Sequence, residues 1–358
     1  MRHRPARDLH PVAWWAWAIG LAAAASFTTN PLILIGLVGV ASIVVAMRAS
    51  AQPWAASFRL YLALGALIVV TRVVFRILFG GVEGGQVLLD LPEIPLPEWV
   101  AGVRLLGPVT SESLLAGLYD GMRLAAIVIC VGAANALANP KRLLAAVPSG
   151  LYEIGTALVV AVTIFPQLAD SARRVRAAQA LRGGPTGRGG RVRRFLVPVL
   201  EDALERSINL AAAMDTRGYG RAGGAGMGQR WATGALVLGG LLGVCVGTYA
   251  VLDTTAPRVL ALPMLALGVL AALAGLVSAG RRVTRTRYRP DRWLLAEMLV
   301  LACGLACGYV GWLLVREQLT VAHPGVSMVP YLSPLALAGL VVAALPAVLA
   351  PEPRVARR

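Results

Sequence analysis

Two short triplets at predicted helix ends are the residues of this chain best suited to binding chemistry. They are Leu181-Arg182-Gly183 and Thr216-Arg217-Gly218. Arginine followed by glycine is expected at a helix C-terminus, because glycine adopts the backbone conformation that ends a helix. A guanidinium group is a rigid fork of donors suited to carboxylate or carbonyl oxygens. We therefore interpret Arg182 and Arg217 as two helix tips that dock into a partner.

The other reactive residue types form no catalytic or metal-binding pattern in the sequence. The single lysine, Lys141, lies in no phosphate-binding loop. Cys303 and Cys307 are one helical turn apart, but no histidine or acidic residue near them completes a metal site. Asp202 and Glu205 could be imagined as paired carboxylates, although a solvated helix face with local ion pairs is the simpler interpretation. We predict no catalytic residue, no cofactor and no metal.

A long basic segment, residues 166–219, carries both triplets and is too charged to lie in lipid. It is predicted to contain a helix over about 167–181, a glycine-rich linker over 183–190 and a second helical stretch over about 192–216. Pro166 is expected to interrupt the chain before the first helix, and a proline within the second stretch, Pro198, to divide it.

The second helical stretch is amphipathic. Leu200, Leu204 and Ile208 recur at helical spacing, so one face is apolar. The opposite side carries charged residues, including Glu201 and Arg206. This pattern predicts a helix that lies on the membrane or on other helices with its tip free.

The composition is that of a polytopic membrane protein. Of 358 residues, 57% are hydrophobic and 15% are charged, whereas a soluble protein would be near half apolar and a quarter charged. The net charge of +16 comes from arginines between apolar segments, where the positive-inside rule explains them. The positive charge is therefore no indication of nucleic-acid binding.

We predict an all-α polytopic membrane protein with about eight transmembrane helices plus long cytoplasmic coupling helices. The predicted spans cover about 12–25, 31–47, 60–79, 113–138, 231–252, 260–279, 293–315 and 332–350. The first could also be a cleavable signal peptide. Its tryptophans, which resemble an interfacial belt, and the span that follows at once favour a retained hairpin.

The arginine-rich flanks predict a multi-pass protein of the cytoplasmic (inner) membrane with both termini in the cytoplasm. Residues 82–111, acidic and proline-rich, are expected to form an extracytoplasmic loop. The apolar segment 152–165 has cytoplasmic flanks on both sides, so we expect it to dip into the bilayer or lie obliquely. The chain is then divided into an N-terminal transmembrane region (1–166), a coupling-helix region (167–230) and a C-terminal transmembrane extension (231–358).

Two features within the spans leave more than one interpretation open. Arg123 lies inside a span, where a charge indicates either function or pairing with a neighbouring helix. Small-residue stripes favour close helix packing over a substrate path. They are Gly239, Gly243 and Gly247, and Gly304 and Gly308.

Residues 110–220 resemble the T component of energy-coupling-factor (ECF) transporters, the ABC-type importers of vitamins and metal ions. The resemblance rests on Asn139-Pro140, Ile164-Phe165-Pro166 and the two helix ends, 177–183 and 213–219. That family carries two X-Arg-X motifs at the ends of coupling helices, which here fall on the two triplets. Family members usually have alanine where this chain has Leu181, and they commonly end after one further span instead of four.

The resemblance implies a scaffold and transducer that is not an enzyme. Each arginine would enter a groove on one of two ABC ATPase subunits, and the coupling helices would pass their motion to a substrate-binding S subunit. The residues expected to support the coupling helices are Pro166, Gln179, Pro198, Met214, Asp215 and Tyr219. The alternatives are a stand-alone membrane transporter, or a membrane-embedded enzyme acting on lipid-linked substrates through Asp202 and Glu205.

Overall fold

The computed structural model describes residues 7–50, 53–79, 86–92, 106–146, 151–182, 188–218, 227–253, 258–280, 293–326 and 328–352. The chain forms two compact units. A bundle unit combines residues 1–143 with 290–358, and a helix-pair unit contains residues 144–289. The bundle unit therefore contains both the beginning and the end of the chain.

Helices make up most of the described residues. In chain order they are α1 (Pro11–Ser26), α2 (Pro31–Arg48), α3 (Phe58–Leu78), α4 (Ser111–Leu137), α5 (Pro140–Ala145), α6 (Tyr152–Arg182), α7 (Arg188–Thr216), α8 (Met227–Leu252), α9 (Arg258–Gly280), α10 (Leu295–Glu317), α11 (Leu319–Ala322), α12 (Pro334–Ala344) and α13 (Pro346–Leu349). Among the described residues, seven helices are long and apolar enough to cross a membrane, namely α2, α3, α4, α6, α8, α9 and α10. Two shorter apolar helices, α1 and the α12–α13 segment, add to them. The all-α polytopic prediction is confirmed.

The bundle unit packs α10 and α12 of the C-terminal extension against α1 and α2. Trp17 of α1 is fully buried, and its indole N–H donates to the carbonyl of Ala343 in α12 at 3.0 Å. Gly20 and Gly304 bring the backbones of α1 and α10 into direct contact. The small-residue stripe predicted on α10 is therefore a packing surface.

At each end of the bundle unit, hydrogen bonds connect residues from the beginning of the chain to residues from its C-terminal part. At one end, Asn30 is fully buried and donates to the carbonyls of Val321 and Tyr331 at 2.9 and 3.0 Å. At the other end, the buried carboxylate of Glu297 accepts from Arg7 at 2.7 Å. Residues 290–358 of the extension are thus an integral part of the bundle unit, whereas α8 and α9 belong to the helix-pair unit.

Several sequence interpretations of the bundle unit change in the structure. Trp14 and Trp17 pack in the protein core and form no lipid-facing belt. Arg123 donates to the carbonyl of Ser26 at the end of α1, which favours pairing with a neighbouring helix.

The predicted loop 82–111 contains strand structure in its described part. Strand β1 (Val87–Asp90) pairs antiparallel with β2 (Pro108–Thr110). The prolines at 92, 95 and 97 concealed this pairing, because in the sequence they lie between the two strands rather than within them. Residues 93–105 lie outside the described residues.

The helix-pair unit contains α6 with α7 and α8 with α9. The predictions that Pro166 and Pro198 interrupt the helices are wrong, since α6 runs from Tyr152 to Arg182 and α7 from Arg188 to Thr216. Each proline removes one backbone hydrogen bond. The helix-favouring residues on either side, rich in alanine, leucine and arginine, maintain the helix through it.

Close glycine packing joins α8 to α9. A Cβ added at Gly243 or Gly247 would meet backbone atoms of α9 at 2.9 and 2.7 Å. Gly239 of the predicted stripe meets nothing within 4 Å, and its neighbour Gly240 makes the contact with Ala272 instead. The packing interpretation holds with this one-residue correction.

Candidate functional site: the α6–α7 helix pair

The helices α6 and α7 lie antiparallel, so their C-terminal ends point in opposite directions. The side chain of Gln179 donates to the carbonyl of Arg194 at 2.7 Å. The guanidinium of Arg176 lies 5.3 Å from the ring centre of Phe195. Both contacts join the last turns of α6 to the first turns of α7.

Farther along the pair, five polar residues form what we call the Asp202 cluster. They are Gln167, Ser171, Arg174, Asp202 and Arg206. Asp202 of α7 pairs with Arg174 of α6 at 3.5 Å and with Arg206 of its own helix at 3.1 Å. Arg206 in turn donates to the amide oxygen of Gln167 on α6 at 3.4 Å. Asp202 thus binds one arginine from each helix, Arg174 of α6 and Arg206 of α7.

Ser171 of α6 is buried where the two helices cross, and its side chain is hydrogen-bonded to Asp202 of α7. The exposed fraction of Ser171 is 2%, whereas Arg173 and Arg174 on the same helix are largely exposed. The hydroxyl of Ser171 and the guanidinium of Arg206 hold the pKa of Asp202 below its ordinary value. Asp202 is therefore an anion at neutral pH, and it holds two cations.

The first arginine triplet lies at the C-terminal end of α6. The helix ends at Arg182, and the side chain of Leu181 is 89% exposed. Gly183 lies outside the described residues. The prediction of a helix that ends at this arginine agrees with the structure.

The second triplet lies just past the C-terminal end of α7. The amide of Gly218 donates to the carbonyl of Asp215 at 2.9 Å, and Gly218 has a φ of 77°. Only glycine adopts this left-handed conformation without strain, so it ends the helix here. Arg217 and Thr216 are exposed at this tip.

The two arginine-bearing ends are far apart because the helices are antiparallel. Gln179 lies beside Arg194 near the start of α7, whereas Thr216 is its last residue. At about 1.5 Å per residue, roughly 33 Å of helix separates Arg194 from Thr216. The structure thus places one arginine triplet near each end of α7.

The remaining predicted support residues are distributed along the two helices. Pro166 and Pro198 lie inside α6 and α7 and are exposed, and Gln179 joins the helices. Met214 is half-buried, and Asp215 accepts the hydrogen bond that ends α7. Tyr219 lies outside the described residues.

An apolar stripe runs along the face of α7 that α6 leaves uncovered. It consists of Val192, Leu196, Leu200, Leu204 and Ile208. The last three side chains are between 60 and 63% exposed. The predicted amphipathic face is present, and it does not serve to pack α7 against α6.

The Asp202 cluster was missed as an inter-helix contact by the reasoning from sequence. Asp202 and Arg206 were interpreted as a local pair, which the structure contains, but Arg174 and Ser171 belong to another helix. A signal was available in the spacing of Gln167, Ser171 and Arg174, which lie on one helical face. The antiparallel register that brings this face to Asp202 cannot be read from the sequence.

The structure gives no support to paired carboxylates at Asp202 and Glu205. Asp202 is engaged by two arginines, and Glu205 is exposed on another side of α7. Within the described ranges, no group of three or more histidine, cysteine, aspartate or glutamate residues could hold a metal ion.

The family model CbiQ, described as cobalt transport protein, matches residues 2–226. This range includes α1 to α7 and both triplets. Residues 227–358, with α8 to α13, lie outside the match.

Curated relatives named energy-coupling factor transporter transmembrane protein EcfT are similar to part of the chain. The protein of Leuconostoc gelidum subsp. gasicomitatum is 26% identical over 191 residues, covering 46% of this chain and 71% of the relative. That of Bacillus selenitireducens is 27% identical over 177 residues, covering 45% and 60%. That of Lactococcus lactis subsp. cremoris is 25% identical over 168 residues, covering 42% and 58%.

Proposed function

This chain belongs to the CbiQ family, and we propose that it is the transmembrane coupling subunit of an ECF-type importer. In this role it is a scaffold without catalytic activity of its own. It connects two ABC ATPase subunits to a substrate-binding S subunit for uptake of a vitamin or metal ion. The names of the relatives support an energy-coupling transporter, and the α6–α7 pair supports the mode of coupling.

The observation that carries the proposal is the position of the two arginine triplets. A subunit that engages two ATPases needs two separate contact points, and Arg182 and Arg217 lie near opposite ends of α7. Arg182 is the last residue of α6, and Arg217 follows the last residue of α7. Both therefore lie where the free C-terminal carbonyls of a helix favour a cation. In this proposal each arginine enters an acidic or carbonyl-lined groove on one ATPase.

The exposed apolar stripe on α7 supplies the second contact surface. Leu200, Leu204 and Ile208 are too exposed to stabilise the α6–α7 pair itself. Apolar area of this kind is stabilised when a membrane protein or lipid covers it. We assign the stripe to the S subunit, so that movement of the two tips reaches the substrate-binding partner through α7.

The bundle unit supports an orientation with both termini in the cytoplasm. Arg142, just after α4, donates to the carbonyl of Asp8, and Glu297, at the start of α10, pairs with Arg7. The end of α4 and the start of α10 therefore lie on the same side as the N-terminal residues. The arginines on this side support a cytoplasmic location for it.

This arrangement limits the number of crossings between α4 and α10 to an even number. The apolar, antiparallel α8 and α9 supply two crossings. The charged α7 supplies none. Although α6 is long and apolar enough to span the membrane, we propose that its apolar first half lies obliquely at the cytoplasmic face of the bilayer and that α6 and α7 both end in the cytoplasm.

Co-purification with a pair of ABC ATPases produced together with this chain tests the proposal. Wild type is compared with the double variant Arg182→Glu, Arg217→Glu. A matched control, Arg59→Glu, Arg173→Glu, reverses two exposed arginines that lie away from both tips. We expect wild type and control to retain both ATPases and the tip variant to lose them. Retention of ATPases by the tip variant would contradict the proposed role.

A further inference from the structure

We propose that Asp202 is a positioning residue that fixes the crossing of α6 and α7 and thereby sets the spacing between the Arg182 and Arg217 tips. This inference rests on the proposed coupling function. It assigns a role to a residue that lies far from both tips and contacts neither.

The geometry around Asp202 connects both helices through one anion. One carboxylate oxygen lies 3.5 Å from Arg174 of α6, and the other lies 3.1 Å from Arg206 of α7. Arg206 reaches back to Gln167 of α6 at 3.4 Å. The contacts to α6 therefore lie on both sides of the Ser171 crossing point.

The other described contacts between α6 and α7 do not fix the angle at which the two helices cross. Among the hydrogen bonds and ring contacts that the structure describes between α6 and α7, those of Gln179 and Phe195 lie at the end near Arg182. The apolar stripe of α7 faces away from α6. Helices held at one end can change their angle, and the Asp202 cluster supplies the second fixed contact.

A fixed spacing matters because two ATPases must be engaged at once. When two contact points are held at the correct span, the second binding event becomes intramolecular and the affinity of the whole exceeds that of either contact. If the angle between the helices is no longer fixed, each arginine tip stays intact but the gain in affinity from binding at both points is reduced. Loss of Asp202 is therefore expected to weaken binding of the ATPase pair without abolishing it.

The first measurement is the distance between spin labels at positions 181 and 216, in the full-length chain in detergent. Both side chains are exposed, and Cys245 is replaced by alanine because it is the exposed cysteine among the described residues. We expect a narrow distribution centred on the order of 35 Å in wild type. Asp202→Asn should broaden it, and Asp202→Glu, which keeps the carboxylate, should restore it.

A matched control removes one negative charge without touching the crossing. Glu205→Gln changes an exposed residue of the same helix that forms no ion pair with a described side chain. It should leave the distribution narrow. A distribution that is equally narrow in Asp202→Asn, or equally broad in Glu205→Gln, would overturn the inference.

The second measurement is titration of the immobilised chain with the two ABC ATPases. Asp202→Asn should lower their affinity by about tenfold or more, because binding at both points is no longer favoured. Asp202→Glu and Glu205→Gln should bind as wild type. Unchanged affinity in Asp202→Asn despite a broadened distance distribution would overturn the positioning role.

The two measurements separate this inference from the proposed function. The spin-label distances need no partner, so they decide whether Asp202 fixes the helix crossing. If wild type itself binds no ATPase, the coupling function fails and its positioning role fails with it. If wild type binds and Asp202→Asn binds equally well, only the positioning role fails.

Discussion

Replacing Gly20 with alanine should destabilise the bundle unit, because α1 and α10 touch through their backbones at this point. An added Cβ would meet the carbonyl group of Gly304 and lie 2.9 Å from its Cα atom. These backbone atoms cannot rotate aside, so the two helices must separate. Overpacking of this kind costs about 1–3 kcal/mol. Alanine recovers about 0.5–1 kcal/mol through its helix propensity. Because the clash is with backbone atoms, the cost of overpacking lies near the upper end, about 3 kcal/mol, which leaves a net loss of roughly 2–2.5 kcal/mol.

The same substitution at Gly39 is the matched control. Gly39 lies in α2, and a Cβ added there meets nothing within 4 Å. The change therefore supplies only the gain in helix propensity, about 0.5–1 kcal/mol. We expect the two glycine-to-alanine substitutions to change the free energy of unfolding in opposite directions.

Buried thiols provide the assay. Cys130, Cys303 and Cys307 are buried in the bundle unit, so a thiol-reactive dye reaches them only as the protein unfolds on heating. The exposed Cys245 is first replaced by alanine. Gly20→Ala should lower the midpoint of dye reaction. A midpoint at or above that of wild type would refute the backbone contact between α1 and α10.

Three further predictions use matched changes. Arg7→Ala should cost on the order of 1–3 kcal/mol, because Glu297 loses its buried charge partner, and adding Glu297→Gln should recover part of this loss in the same dye assay. Gly268→Leu should separate α8 from α9 and lower the midpoint of thermal loss of helix, followed by circular dichroism. Gly239→Leu should leave this midpoint unchanged. The lowered pKa of Asp202 means that its ion pairs contribute stability above the ordinary aspartate pKa and lose it as pH falls through the lower pKa of the folded chain. The distance distribution of wild type should therefore still be narrow at the ordinary aspartate pKa of about 3.9 and broaden only at lower pH. That of Asp202→Asn should be broad at neutral pH already.

The sequence predicted the class of fold and the positions of the spans well, because both depend on local composition. Continuous apolar segments and caps followed by proline, such as Asn30-Pro31, define where helices begin. The end of α7 at Gly218 also followed from local chemistry. These features need no knowledge of which helix packs against which.

The sequence failed where the answer depends on tertiary contacts. Pro166 and Pro198 were expected to interrupt helices, but the residues around them maintain each helix. The hydrogen bond from Trp17 of α1 to Ala343 of α12 was not predicted either. Partners of this kind are more than 300 residues apart in the chain, and no local pattern identifies them.

The helix ends that carry Arg182 and Arg217 were predicted from the sequence, whereas the contacts at the crossing of α6 and α7 were not. Arg182 and Arg217 were identified from helix-end chemistry and from the family resemblance. The separation of the two tips and the Asp202 cluster follow from the antiparallel register of α6 and α7. That register is fixed by contacts such as Gln179 with Arg194, which the sequence alone does not reveal.

Site-specific cross-linking most directly tests whether one chain engages two ATPases. A photo-reactive amino acid is placed at position 181 or 216, beside the two arginines, and at position 238 as an exposed control in α8. We predict that positions 181 and 216 each cross-link to an ATPase and that position 238 does not. A chain carrying both should join two ATPases. Absence of ATPase cross-links from positions 181 and 216 in the assembled complex would contradict the account.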